Sequence, residues 1–140
     1  MAAAMSREER LERWAAALEA HEGRLVPFRD LEYFAFAVHE PLRQPNSPLT
    51  VAYRDPALRR AGLESDRFGD GVAFFDLSRS QAHRLLCSCG YIGRMQADEV
   101  ARRVRRLARP RRRLDWRPAN PLPALARWLA GLRPLAPARG

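Results

Sequence analysis

The sequence predicts a mainly α protein. The expected fold is a small helical domain of about four to five helices over residues 6–109, followed by a basic, Pro-rich C-terminal tail. A short two-stranded β element in the middle of the domain is an added expectation. Three observations carry this reading. Apolar residues recur three and four apart along much of the first 109 positions, the period of an amphipathic helix. Residues suited to helix caps stand directly before several of those runs. Composition then breaks at Pro110, since residues 110–140 hold six prolines and a single acid, Asp115.

Size and composition agree with a globular domain. A chain of 140 residues can bury one core without disulfide or metal staples. Its apolar fraction of 46% and charged fraction of 29% are ordinary for such domains. The longest apolar run, Tyr33 to Val38, is far short of the roughly 18 residues that span a bilayer. The alanines at the N-terminus give way at once to Arg7, Glu8, Glu9 and Arg10, so no secretory signal is expected. Met5-Ser6 resembles an alternative start, which leaves residues 1–5 as a disordered extension. Cys87 and Cys89 are the only cysteines and are too close in sequence for a structural disulfide, so the expected location is a reducing cytoplasm.

The first helix starts at Ser6, with Glu9 three residues on to complete a capping box. Leu11, Trp14, Ala15 and Leu18 then form one apolar stripe. Glu8, Glu9 and Glu12 suit the positive end of the helix dipole, and Gly23 suits the stop. Over residues 28–39, Phe28, Leu31, Phe34, Ala35 and Val38 fit one helical face. Tyr33, Phe36 and Ala37 make the other side apolar, so a largely buried helix is expected, with a strand over Tyr33–Val38 as the alternative. Pro41, Pro45 and Pro48 interrupt regular structure up to Leu49. Leu49 to Tyr53 reads as a short strand. Asp55-Pro56 opens a brief helix that ends near Gly62. Arg67 to Gly71 reads as a turn, and Val72 to Phe75 as the partner strand.

Ser78 and Gln81 repeat the capping-box spacing. Ala82, Leu85, Leu86 and Cys89 supply the apolar stripe of that helix, and Gly90 its stop. The last helix of the domain spans about Ala97 to Arg109. Val100, Ala101, Val104, Leu107 and Ala108 cover one side of it, and Arg102, Arg103, Arg105, Arg106 and Arg109 the other. Beyond it, residues 110–121 read as a basic linker and 122–133 as a short amphipathic helix built on Leu122, Leu125, Trp128, Leu129 and Leu132. Residues 134–140 read as a disordered end.

The charge pattern points to partners. All 25 basic residues are arginine and none is lysine, which fits a GC-rich, bacterial genome. Their distribution is uneven. Residues 1–100 hold 13 Arg against 15 Asp and Glu, a net of −2; residues 101–140 hold 12 Arg against one Asp, a net of +11. Arg102, Arg103, Arg105, Arg106, Arg109, Arg111, Arg112 and Arg113 can neutralise several phosphates, and Trp116 can stack on a base. The expected function is therefore a non-catalytic accessory or regulatory protein that contacts DNA or RNA electrostatically through its Arg-rich C-terminal third. The alternative is a protein–protein interaction module that docks a partner through the 122–133 helix, its basic charge reflecting codon bias. A membrane surface is disfavoured, because the amphipathic segment is short and carries only Arg127 and Arg133.

Other chemistries find little support. Residues 78–109 have the outline of a helix-turn-helix, although the expected turn of seven residues is longer than the usual three or four. His83 and Cys87 lie four apart on one helical face, but no second ligand pair accompanies them, so no metal is expected. Cys87 and Cys89 read as small core residues. Asp66 to Gly71 has a calcium-loop glycine but lacks ligands at Phe68 and Leu77. No phosphate-cradling glycine loop or nucleophile elbow is present, and no cofactor is expected.

Overall fold

The computed structural model describes residues 4–29 and 36–109, which belong to a unit covering residues 1–109. The expected linker, the helix over 122–133 and the disordered end lie outside the described residues. Among the described residues there are seven α-helices: α1 (Arg7–Glu19), α2 (Phe36–His39), α3 (Pro48–Arg54), α4 (Pro56–Arg60), α5 (Phe68–Phe74), α6 (Arg79–Leu86) and α7 (Ala97–Ala108). A 3-10 turn, Ser88–Gly90, follows α6. The chain is mainly helical, as its periodicity predicts.

The capped helices begin where their caps stand. Ser6 accepts from the Glu9 backbone while the Glu9 side chain accepts from the Ser6 backbone. Ser78 and Gln81 repeat the reciprocal pair. Asp55 accepts from the Ala57 amide and sets Pro56 at the first position of α4. Each cap satisfies backbone donors that a helix start would otherwise leave open.

The middle of the domain corrects the sequence reading. Neither expected strand exists. Residues 49–53 lie in α3 and residues 72–74 in α5. The start signal for α3 is Ser47, which forms a capping box with Thr50, with Pro48 at the first helical position. Pro48 thus opens a helix instead of blocking one, because a first-turn residue needs no backbone N–H. α5 carries Gly69 and Gly71, and the reason for Gly71 is proximity. A Cβ there would collide with the Leu49 side chain of α3. Of the expected 28–39 helix, the described residues show helix at Phe36–His39, and residues 30–35 lie outside the described residues. Phe28 is extended, with its N–H donating to Leu86 O at 2.9 Å and its carbonyl accepting from Ser88 N at 3.0 Å.

The core is aromatic and aliphatic. Trp14 is fully buried and stacks on Phe75 at 4.1 Å between ring centroids. Its indole N–H donates to Pro48 O at 2.9 Å, so the one polar atom of the ring is satisfied. Phe68 receives Phe28 and Phe36 edge-on, each at 5.3 Å. α1 and α7 form the principal helix pair: Leu11, Trp14, Ala15 and Leu18 of α1, and Val100, Ala101, Val104 and Ala108 of α7, are all buried. A half-buried polar network holds the loop between α2 and α3 to the start of α5. Arg43 Nε donates to Asp66 Oδ1 at 2.6 Å, and the Thr50 hydroxyl lies 3.2 Å from Asp66 Oδ2 and 3.1 Å from Gln44 O. Asp66 is therefore an ion-pair partner inside the domain.

Candidate nucleic-acid interface

α7 is the basic helix, and its sequence explains why it forms. Gln96 supplies no side-chain cap, but Asp98 and Glu99 oppose the positive end of the dipole and Arg105 and Arg106 the negative end. Its apolar stripe on α1 supplies most of the remaining stability. The helix stops at Ala108, and Arg109 turns extended at φ −62° and ψ 123°. That conformation is the one Pro110 imposes on the residue before it.

The four arginines of α7 and the C-cap Arg109 do not act as one face. A helix turns about 100° per residue, so Arg102 and Arg106 align along the crest opposite the buried stripe, and Arg109 follows at the C-cap, past the last helical residue. All three are exposed, and none has a side-chain hydrogen bond or ion pair to another described residue. Arg103 and Arg105 stand on the two flanks, 27% and 33% exposed at the side chain, and both are engaged. Arg103 donates to Gly90 O at 2.6 Å, to Arg84 O at 3.0 Å and to Glu99 Oε1 at 2.8 Å. Its guanidinium lies 4.0 Å from the Tyr91 ring centroid. Arg105 reaches across to α1, where it pairs with Glu12 at 3.2 Å and with Glu19.

Beneath Arg103, the Tyr91 hydroxyl donates to Leu85 O at 2.6 Å. Burial pushes the Tyr91 phenol well above its ordinary range, and the positive charge of Arg103 opposes that shift without cancelling it. Sequence spacing held a signal for this split. Arg103 is four residues after Glu99, the arrangement for an intrahelical ion pair, and a helical wheel separates 102, 106 and 109 from 103 and 105.

The helix-turn-helix outline does not survive. Residues 87–96, ten in all, separate α6 from α7, against three or four in that motif. Recognition helices in it read bases with their N-terminal residues, and here that end carries Asp98 and Glu99. Arg111, Arg112, Arg113 and Trp116 lie outside the described residues, as do Leu122, Leu125, Trp128, Leu129 and Leu132.

The cysteines occupy settings the sequence did not separate. Cys87 is fully buried, whereas Cys89 is exposed and is not part of the apolar stripe of α6. The helix ends at Leu86, so helical spacing no longer applies beyond it. The His83 ring meets Cys89, with Sγ 2.8 Å from Nε2. Among the described residues, no group of three or more His, Cys, Asp or Glu gathers to hold a metal, and no helix is long and apolar enough to cross a membrane. Compared with known proteins, the chain matches no family model, no curated protein and no solved structure.

Proposed function

We propose that the protein is a non-catalytic accessory or regulatory protein that contacts nucleic acid through its Arg-rich C-terminal third. The observation that carries this reading is the crest of α7. Exposed Arg102 and Arg106 align there and exposed Arg109 follows at the C-cap; none has a described partner, and they lead in sequence toward Arg111, Arg112 and Arg113. A guanidinium is suited to bidentate contact with phosphate. Acids at the N-terminal end of the same helix argue for contact with the backbone over reading of base edges. Arg103 and Arg105 are excluded from the contact set, because their partners are intramolecular.

The test is the salt dependence of binding by the full chain to a fluorescent DNA duplex. Five phosphate contacts would give a slope of log affinity against log salt of about −4 to −5, at about −0.9 per contact. The dissociation constant should fall on the order of 10⁻⁴ to 10⁻⁶ M near physiological salt, with little sequence preference. Changing Arg102, Arg106 and Arg109 together to Gln should flatten the slope by about 2 to 3 units. Changing Arg54, Arg59 and Arg60 removes the same charge from a different surface and should matter much less. Equal effects from the two triplets would reduce the interaction to net charge alone. No binding to DNA or RNA at ~50 mM salt would remove the reading and favour a protein partner for the 122–133 segment.

A further inference from the structure

A groove of about 430 Å³ lies between the C-terminal half of α1 and the junction of α3 with α4. Its walls follow from the sequence. Arg13, Ala17 and Ala20 recur four and three residues apart, so they share one face of α1, and His21 follows at its end. Opposite them, Val51 lies on α3, Arg54 closes that helix, and Asp55 and Pro56 lead into α4. Alanines on the α1 side leave open the space that larger side chains would fill. Val51 is buried whereas Arg13 and Arg54 are exposed, which gives the groove an apolar base and a charged rim. Asp55 is the one carboxylate among the described lining residues, and both of its oxygens are taken. Oδ1 accepts from Ala57 N at 2.9 Å, and Oδ2 pairs with Arg13 Nε at 2.8 Å. Arg54 and the His21 ring have no hydrogen bond or ion pair to another described residue. Arg13 and Asp55 cancel, so the charge of Arg54 is uncompensated.

We propose that this groove is a binding site for a small organic monocarboxylate. The carboxylate sits on the Arg54 guanidinium, whose planar fork of donors matches its two oxygens. The apolar body of the ligand covers Ala17, Ala20 and Val51. Concave sites of this size, apolar with a few convergent polar groups, are where proteins hold small molecules. Charge fixes the class of ligand. One uncompensated guanidinium calls for one negative charge. A phosphate dianion brings a second charge toward the Asp55 carboxylate, and that repulsion opposes it. The His21 ring supplies a further polar contact at the end of the groove. No described residue of α7 lines the groove, so the site is independent of the nucleic-acid reading.

The test titrates the full chain with sodium benzoate at constant ionic strength and follows backbone amide NMR shifts. Saturable shifts are expected at Ala17, Ala20, Val51 and Arg54, with a dissociation constant on the order of 1 mM, as for a ligand of few atoms on an open site. Benzyl alcohol lacks the charge, acetate lacks the ring, and inorganic phosphate carries the second charge. Each should bind at least about tenfold more weakly than benzoate. Arg54→Gln should weaken benzoate binding about tenfold with unchanged circular dichroism, because Arg54 is exposed and has no described partner. Arg60→Gln removes the same charge from an exposed position outside the groove and should leave binding unchanged. Ala20→Leu, also at an exposed position, should fill the groove and abolish the shifts. Shifts that do not saturate would overturn the proposal, as would any of the three comparison compounds binding as tightly as benzoate. So would equal losses in Arg54→Gln and Arg60→Gln, or undiminished binding by Ala20→Leu.

Discussion

The flanks and the crest of α7 are built from the same residue and do opposite things. On the flanks, Arg103 and Arg105 turn inward and bind backbone carbonyls, a tyrosine ring and the carboxylates of α1. On the crest, one helical step away, Arg102 and Arg106 face solvent, as does Arg109 just past the helix end. α1 repeats the inward use. Arg7 donates to Phe75 O at 3.1 Å, Arg10 donates to Phe74 O at 3.0 Å, and Arg13 pairs with Asp55 at 2.8 Å. Arg7 and Arg10 thereby satisfy carbonyls at the C-terminal end of α5 that no capping residue covers. In a chain without lysine, arginine does the work of helix capping and helix clasping as well as supplying charge. A count of arginines therefore overstates the charge available to a partner.

The harshest way to break this comparison is to displace the carbonyls that the Arg103 flank grips. Gly90→Ala puts a methyl group against the Arg84 carbonyl, a backbone atom that cannot swing aside. We expect a loss of about 3 kcal/mol in urea unfolding, the upper part of the range for overpacking. A loss under about 0.5 kcal/mol, the scale of a neutral surface change, would show that the turn after α6 relaxes at no cost and that its grip on α7 is loose.

Removing the gripping side chain is the next largest effect. Arg103→Gln forfeits two bonds to carbonyls, the pair with Glu99 and the contact with Tyr91. A partly exposed site discounts each of these. We expect about 2 kcal/mol in total, since bonds to charged groups are worth about 1.5–3 kcal/mol when well buried. Tyr91→Phe should cost less, about 1 kcal/mol at neutral pH, for the bond to Leu85 O. It should also change the alkaline limb. Burial holds the folded-state phenol above its ordinary value of 10.0, so the folded protein keeps the proton after the unfolded chain has begun to lose it. Wild-type stability is accordingly full below about pH 10 and falls as pH rises beyond it. The gap between wild type and Tyr91→Phe should narrow from pH 10 to 11. A gap that stays constant would mean the phenol titrates alike in both states.

These elements were not equally legible in the sequence. α1, α4, α6 and α7 could be read because their caps or end charges stand beside clear apolar stripes, as Ser6, Asp55 and Ser78 do. α3 and α5 were misread because they are short and apolar on several sides, so length and periodicity cannot separate helix from strand. Pro48 and Gly71 then pointed the wrong way. Each is a breaker in isolation, yet one occupies the first turn of a helix and the other makes room for Leu49. The basic helix was legible as a charge pattern, but its division into flank and crest depends on where Glu12, Glu19 and Gly90 lie in space. The Cys89–His83 pair was hidden for the same reason, because its spacing has meaning only after the chain has left the helix at Leu86.

The smallest stability effects sharpen the comparison most, because they set adjacent arginines against each other. Arg105→Gln breaks the pairs to Glu12 and Glu19 across the α1–α7 seam, at sites one-third to one-half exposed. Exposed ion pairs contribute about 0.2–1 kcal/mol, so unfolding should show a loss within that range that shrinks as salt is added. Arg106→Gln removes a crest side chain with no described partner and should leave stability within about 0.5 kcal/mol of wild type. On the duplex the order should reverse. Arg106→Gln should flatten the salt slope by about 0.9, one phosphate contact, while Arg105→Gln should leave it nearly unchanged. Both variants remove one positive charge, so net charge cannot account for a difference between them. If both flatten the slope equally, Arg105 leaves Glu12 and Glu19 to reach phosphate, and the separation of flank from crest fails for binding. If neither does, the crest is not where the polyanion sits, and the contact must lie among Arg111, Arg112 and Arg113.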